Sequence, residues 1–102
     1  AVINTGGEKV WPEEVEATLR ANSDVLDVVV VGRPDERWGQ RVTAVVQMAP
    51  ETPVTDEQLA QSCREKLAPY KCPRDWVRVS AVPRTPVGKP DYPAIQAMLR
   101  GT

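Results

Sequence analysis

The 102-residue chain contains no histidine. That absence removes Ser-His-Asp and Cys-His nucleophilic catalysis, and with them the commonest zinc ligand sets. Only two cysteines are present, Cys63 and Cys72, and neither has partners at metal-ligand spacing. Cys63 falls in an apolar stripe of helical period, which makes it a small core residue, and a reducing, cytoplasmic setting suits both thiols. No apolar run approaches the roughly 20 residues that span a bilayer, and nothing resembles a secretory signal. There is no internal repeat and no low-complexity tract.

What is present is ordinary in amount: 41% hydrophobic and 26% charged residues, with ten prolines. A chain of this length can bury about 60–70% of its unfolded surface, enough for one modest core, so a single domain over residues 1–102 is expected. The net charge of −1 conceals an asymmetry. Residues 1–40 hold four Lys/Arg against eight Asp/Glu, and residues 41–102 hold nine against six. Between residues 70 and 90 the bases are Lys71, Arg74, Arg78, Arg84 and Lys89, with Asp75 the one acid. Such a patch is either a solvated surface or a seat for a phosphate-bearing small molecule. It is too small and too interrupted by proline for a nucleic-acid groove.

Patterning predicts the elements in order. "WPEEVEATLRAN" is a helix, with Pro12 at its first position and Glu13 and Glu14 at its positive end. "DVVVVG" is a β-branched strand, "RPDERWGQ" a turn-rich loop, and "RVTAVVQM" a second strand with period-two alternation. Thr55 and Gln58 have the form of a capping box, and Leu59, Cys63 and Leu67 follow at four-residue spacing. "DWVRVSAV" is a third strand. "DYPAIQAMLR" is a final helix with Ile95, Met98 and Leu99 inward. The expected fold is therefore α+β, a mostly antiparallel sheet of about three strands flanked by helices, with room for a short N-terminal hairpin.

Three loops carry candidate chemistry, each with a dull alternative. "PRTPVGKP" is not a phosphate-binding P-loop, because Pro83 stands where the first glycine is required and Pro90 follows the lysine. Pro90 nevertheless biases Lys89 towards an extended backbone, and Gly88 permits a positive φ, so the segment can project a cation. A solvated surface lysine is the equal alternative. In "TGGEKV" the paired glycines allow either close approach to a ligand or a tight turn. In "RWGQ", Trp38 either covers a sheet edge or forms a platform for a base, with Arg33, Arg37 and Arg41 available to phosphates.

Taken in order, "INTGGEKVWPEEVE", "VVVVGRPDERWGQRVTAVV", "LAPYKCPRDWVRV" and "VPRTPVGKP" resemble the C-terminal domain of adenylate-forming acyl-CoA synthetases. The resemblance covers residues 3–100. It implies a two-step reaction in which a carboxylate attacks the α-phosphate of ATP, releasing pyrophosphate, and the thiol of coenzyme A then displaces AMP. It implies that Lys89 reaches the adenylation site, supported by Arg84, Thr85 and Gly88 of its loop. An ammonium placed there would offset repulsion between anionic reactants, by about 3–4 kcal/mol on the scale of other preorganised donors. After a domain rotation, Gly6, Gly7 and Glu8 would line the pantetheine channel. Trp38, Tyr70, Lys71 and Arg74 would lie near the CoA nucleotide.

The chain departs from the family pattern at Cys72, where relatives have arginine and Arg74 could substitute, and at Val87, where many have serine. The resemblance further implies an N-terminal AMP-binding domain, outside these 102 residues, that binds ATP, Mg²⁺ and the carboxylic acid. The chain by itself is expected to be inactive. It also makes Lys89 a candidate for a lysine acetyltransferase. Two other readings stand beside the CoA ligase: part of an adenylation domain that loads a carrier-protein thiol, and a stand-alone nucleotide- or protein-binding module.

Overall fold

A computed structural model describes residues 1–101. The chain opens with a hairpin in which β1 (Ile3–Thr5) returns as β2 (Glu8–Val10). Gly6 and Gly7 form its two-residue turn with φ of 57° and 82°. Both values lie where a Cβ is disfavoured, and that turn's twist matches the strands it joins. Helix α1 (Pro12–Arg20) follows, its Val15 and Leu19 buried on the inner face.

Strands β3 (Val25–Asp35) and β4 (Gly39–Met48) make the longest antiparallel pair. They run further into "RPDERWGQ" than sequence patterning predicts, leaving only residues 36–38 as loop. Pro34 permits this because β3 is an edge strand, where a missing N–H breaks no ladder. The Asp35 carboxylate closes the loop by accepting the N–H groups of Arg37 and Trp38, at 2.8 and 2.9 Å.

Helix α2 (Asp56–Lys66) starts at the expected capping box. The Gln58 N–H donates to Thr55 Oγ1 at 3.1 Å, and the Thr55 N–H donates to Gln58 Oε1 at 2.9 Å. A single 3-10 turn, Pro69–Lys71, leads to β5 (Asp75–Arg78), which lies parallel to β4 with Thr43 opposite Asp75. This third predicted strand is shorter than "DWVRVSAV" suggests. The Val79 N–H still reaches the Val46 carbonyl at 2.9 Å, and the chain then leaves the sheet. Helix α3 (Tyr92–Arg100) closes the described chain, with the Asp91 side chain accepting the Ala94 N–H at 3.1 Å.

The sheet has five strands: the three expected and the two of the N-terminal hairpin for which the sequence left room. The hairpin's three-residue strands are too short to show a periodicity, and the hairpin joins β4 through Thr5 opposite Gly39. Helices cover both faces. Val28, Val30, Val42, Ala44 and Val46 pack with Val15, Leu19, Leu59 and Cys63 of α1 and α2. On the other face Val29, Val31 and Val45 pack with Val82, Ile95 and Leu99. The unbroken "VVVV" is thus an edge strand buried on both faces.

The outer edge of β3 is satisfied by side chains. The Val28 N–H donates to Asp27 Oδ1 at 2.9 Å, and Arg20 donates to the Val28 carbonyl at 3.0 Å. The Val30 N–H donates to Glu16 Oε2 at 2.8 Å, and Gln96 donates to the Gly32 carbonyl at 3.4 Å. This explains why Glu16 is buried; desolvation raises its pKa, opposed by that backbone N–H and by Arg20. Among the described residues, no helix is long and apolar enough to cross a membrane.

Candidate functional site

The segment 83–91 is a miniature hairpin. Arg84 pairs with Pro90 in an antiparallel bridge, the Thr85 N–H donates to the Lys89 carbonyl at 2.8 Å, and the Gly88 N–H donates to the Thr85 carbonyl at 2.8 Å. The Asp91 N–H closes the base on the Pro83 carbonyl at 3.0 Å. Gly88 has φ 87° with open space where a Cβ would stand, so its requirement is conformational and not steric. Val87 at the tip is 80% exposed. Lys89 is also exposed, and no carboxylate lies within ion-pair distance of it among the described residues.

Arg84 fixes this hairpin to the sheet. Its Nε and Nη2 donate to Asp27 Oδ2 and Oδ1 at 2.8 and 2.7 Å, while Nη1 donates to the Gly88 carbonyl at 2.9 Å. The bidentate guanidinium is the main reason the Asp27 carboxyl lies below the usual aspartate range. Thr85 supports the loop through its backbone, since its buried Oγ1 has no hydrogen-bond partner among the described residues.

A second cluster surrounds Trp38. Its carbonyl accepts the Gly6 N–H at 2.8 Å, and a Cβ on Gly6 would stand 2.9 Å from the indole Cε3. Gly7 has no heavy atom near the equivalent position. Glu8 is exposed just beyond the turn. The Arg74 and Arg37 guanidiniums lie 4.1 and 4.9 Å from the indole centroid, cation–π geometry that leaves their charge available. The structure thus brings Gly6, Trp38 and Arg74 together.

The other expected members of that site are differently engaged. Lys71 Nζ is 2.8 Å from Glu14 Oε1 on α1, a contact that raises the lysine's pKa. Tyr70 packs against the core, with Lys71 5.8 Å from its ring centroid. Arg33 and Arg41 do not flank the indole as phosphate contacts: both meet Asp75, and they also donate to the carbonyls of Leu99 and Pro34. Cys72 is half-buried, and its pKa is raised by burial, so the thiol replaces no phosphate-binding guanidinium.

Two acids that matter to these loops, Asp27 and Glu14, escape sequence reasoning. An acid at the head of a β-branched run is visible in "LDVVVV", but its partner lies 57 residues away. Asp27 and Asp35 bracket the two clusters on one strand, eight residues apart, a separation of about 26 Å. Among the described residues, no grouping of His, Cys, Asp or Glu could hold a metal ion.

Comparison with known proteins gives a consistent result. Residues 14–89 match the model of the AMP-binding enzyme C-terminal domain. The chain is 51% identical over 90 residues to a 3-oxocholest-4-en-26-oate–CoA ligase of Rhodococcus rhodochrous, covering 88% of this chain and 16% of that protein. It is 52% identical, with the same coverage, to a medium/long-chain-fatty-acid–CoA/3-oxocholest-4-en-26-oate–CoA ligase of Mycobacterium tuberculosis. Among solved structures, a Mycobacterium tuberculosis fatty acyl CoA synthetase superposes with a TM-score of 0.89 at 35% identity, over 95% of this chain and 19% of the other. The chain therefore spans about a sixth of the length of these curated relatives, and it belongs to the family of AMP-binding enzyme C-terminal domains.

Proposed function

We propose that this domain is the mobile C-terminal part of an AMP-forming acyl-CoA ligase, serving both half-reactions from opposite ends of β3. The observation that carries the reading is Lys89: exposed, with no carboxylate at ion-pair distance among the described residues, and carried on a hairpin whose backbone is clamped to the sheet. A cation held in this way can enter a neighbouring domain without unfolding its own. In adenylation it would stand beside the α-phosphate as the carboxylate oxygen attacks phosphorus and pyrophosphate leaves. The ammonium then matches charge growing on the bridging oxygens, and its fixed position removes the entropy of bringing it there.

The Gly6–Gly7 turn and Trp38 serve the second step. There the CoA sulfur attacks the acyl carbon, and the bond to AMP breaks. The turn presents only backbone, giving a pantetheine arm room to pass, and Glu8 flanks it. Arg37 and Arg74, held against the indole and outside salt-bridge distance of any carboxylate among the described residues, can receive nucleotide phosphates. Tyr70 and Lys71 form the adjacent wall, with Lys71 contributing through its pair with Glu14. ATP with its Mg²⁺ and the acyl group would be bound by an N-terminal AMP-binding domain. The CoA-ligase names of the relatives favour coenzyme A over a carrier protein as thiol donor.

The test uses the full-length protein. Lys89→Ala should slow acyl-adenylate formation about 10²–10³-fold. Thioester formation from preformed acyl-adenylate should stay close to the wild-type rate. Equal slowing of both half-reactions would remove the role assigned to Lys89.

A further inference from the structure

We propose that Asp27 is a positioning residue for Lys89, setting the place of the ammonium through Arg84. The inference rests on the adenylation role proposed for Lys89. The hairpin 83–91 holds its own shape by backbone hydrogen bonds between Thr85 and Lys89, Thr85 and Gly88, and Pro83 and Asp91. Those bonds close the hairpin, and Val82 and the start of α3 anchor its base on the sheet. Arg84 ties the arm beyond that base to the sheet. Two of its nitrogens are spent on Asp27, and the third holds the Gly88 carbonyl, one peptide from Lys89.

Asp27 is itself prevented from moving. The register of β3 shifts between Val25 and Asp27, so the carboxylate sits at a bulge, a device that re-aims a side chain. Its Oδ1 accepts the Val28 N–H, and Arg20 stands 3.8 Å away, with Glu16 a further 3.8 Å from Arg20. An alternating chain Glu16–Arg20–Asp27–Arg84 thus runs from α1 to the lysine hairpin. The Asp27 and Arg84 side chains are only 22% and 27% exposed, and the paired fork geometry is far more directional than a surface ion pair. A misplacement of about 1 Å at a reacting centre can reduce rate about a hundredfold, so this contact has leverage over chemistry it never touches.

The experiment compares Asp27→Asn, Asp27→Glu and Lys89→Ala in the full-length protein, measuring adenylate formation and thioester formation separately. Asp27→Asn should slow adenylation about ten- to a hundredfold through kcat, with little change in KM or in the second half-reaction. Asp27→Glu should recover part of the loss. On a Lys89→Ala background, Asp27→Asn should add less than about twofold, because no ammonium remains to be placed. Additive losses in the double variant, equal slowing of both half-reactions, or a silent Asp27→Asn beside a damaging Lys89→Ala would each overturn the inference. A silent Lys89→Ala would instead overturn the functional reading, and the role of Asp27 with it. If Asp27→Asn fails to fold, Arg84→Lys reads the same contact from the other side, keeping the charge but losing the fork. It should reproduce the selective loss, and normal adenylation would again refute the proposal.

Discussion

At the Asp27 end of β3, Lys89 projects with no carboxylate at ion-pair distance among the described residues; elsewhere Arg33 and Arg41 are drawn into ion pairs with Asp75, and Lys71 into one with Glu14. The contrast is one of backbone as well as charge. The lysine hairpin is a short arm with open space around Gly88, whereas Gly6 lies against an indole with no room for a methyl group. One end presents an exposed cation with no carboxylate at ion-pair distance among the described residues. The other is a packed surface where Arg37 and Arg74 lie against the indole, with Arg74 also acting on the Asp35 carboxylate. Under the function proposed above, the two ends would be presented in turn, one to each half-reaction.

The sharpest way to break this comparison is a crossed pair of substitutions. Lys89→Ala should act on adenylation, as stated above. Trp38→Ala should raise the KM for CoA about tenfold and leave adenylation unaltered, since an aromatic face is worth about 1–3 kcal/mol to a stacked base or cation. If either variant affects the opposite half-reaction, the two ends are not functionally separate.

Next in size is a pair of glycine substitutions compared by chemical denaturation. Gly6→Ala combines a positive φ with a clash against Trp38 and should destabilise by about 2–3 kcal/mol. Gly88→Ala meets only the positive φ and should remain nearer about 1 kcal/mol. Equal values would mean that the indole yields freely.

Acid titration gives a smaller effect. Asp27 has a folded pKa below its unfolded value, so its contribution is fully present above about pH 4 and is lost as pH falls through the lowered folded value. Stability followed by urea unfolding should therefore fall less steeply below pH 4 in Asp27→Asn than in the wild type. Identical slopes would show that the Arg84 pair does not lower that carboxyl. The smallest change is Thr85→Val. It removes a buried hydroxyl that has no partner and should be neutral, or stabilising by up to about 1 kcal/mol; a clear loss of stability would reveal a bond the hydroxyl makes.

Much of this architecture is legible in the residues. The Thr55–Gln58 box, the Leu59–Cys63 stripe and the alternation of β4 are local patterns, and local patterns survive folding. The "GG" turn and the exposure of Lys89 follow from backbone chemistry that glycine and proline impose on their neighbours. Pro34 misleads, because a proline argues against a strand only when its hydrogen-free nitrogen faces a neighbour, and edge status is a property of the sheet. The fates of the cations are hidden for a related reason. Nothing near Lys71 or Arg84 indicates Glu14 or Asp27, and only the assembled sheet brings those charges within reach.

The side chains along the outer edge of β3 have a consequence for the domain in a crowded solution. A valine-rich edge strand of 11 residues is a template on which another molecule could add a strand and begin to aggregate. Here Asp27, Arg20, Glu16 and Gln96 occupy backbone groups that such an intruder would need. The edge therefore does not depend on a neighbouring molecule for its cover. The cover is built from polar side chains of α1, α3 and β3 itself that imitate the missing strand.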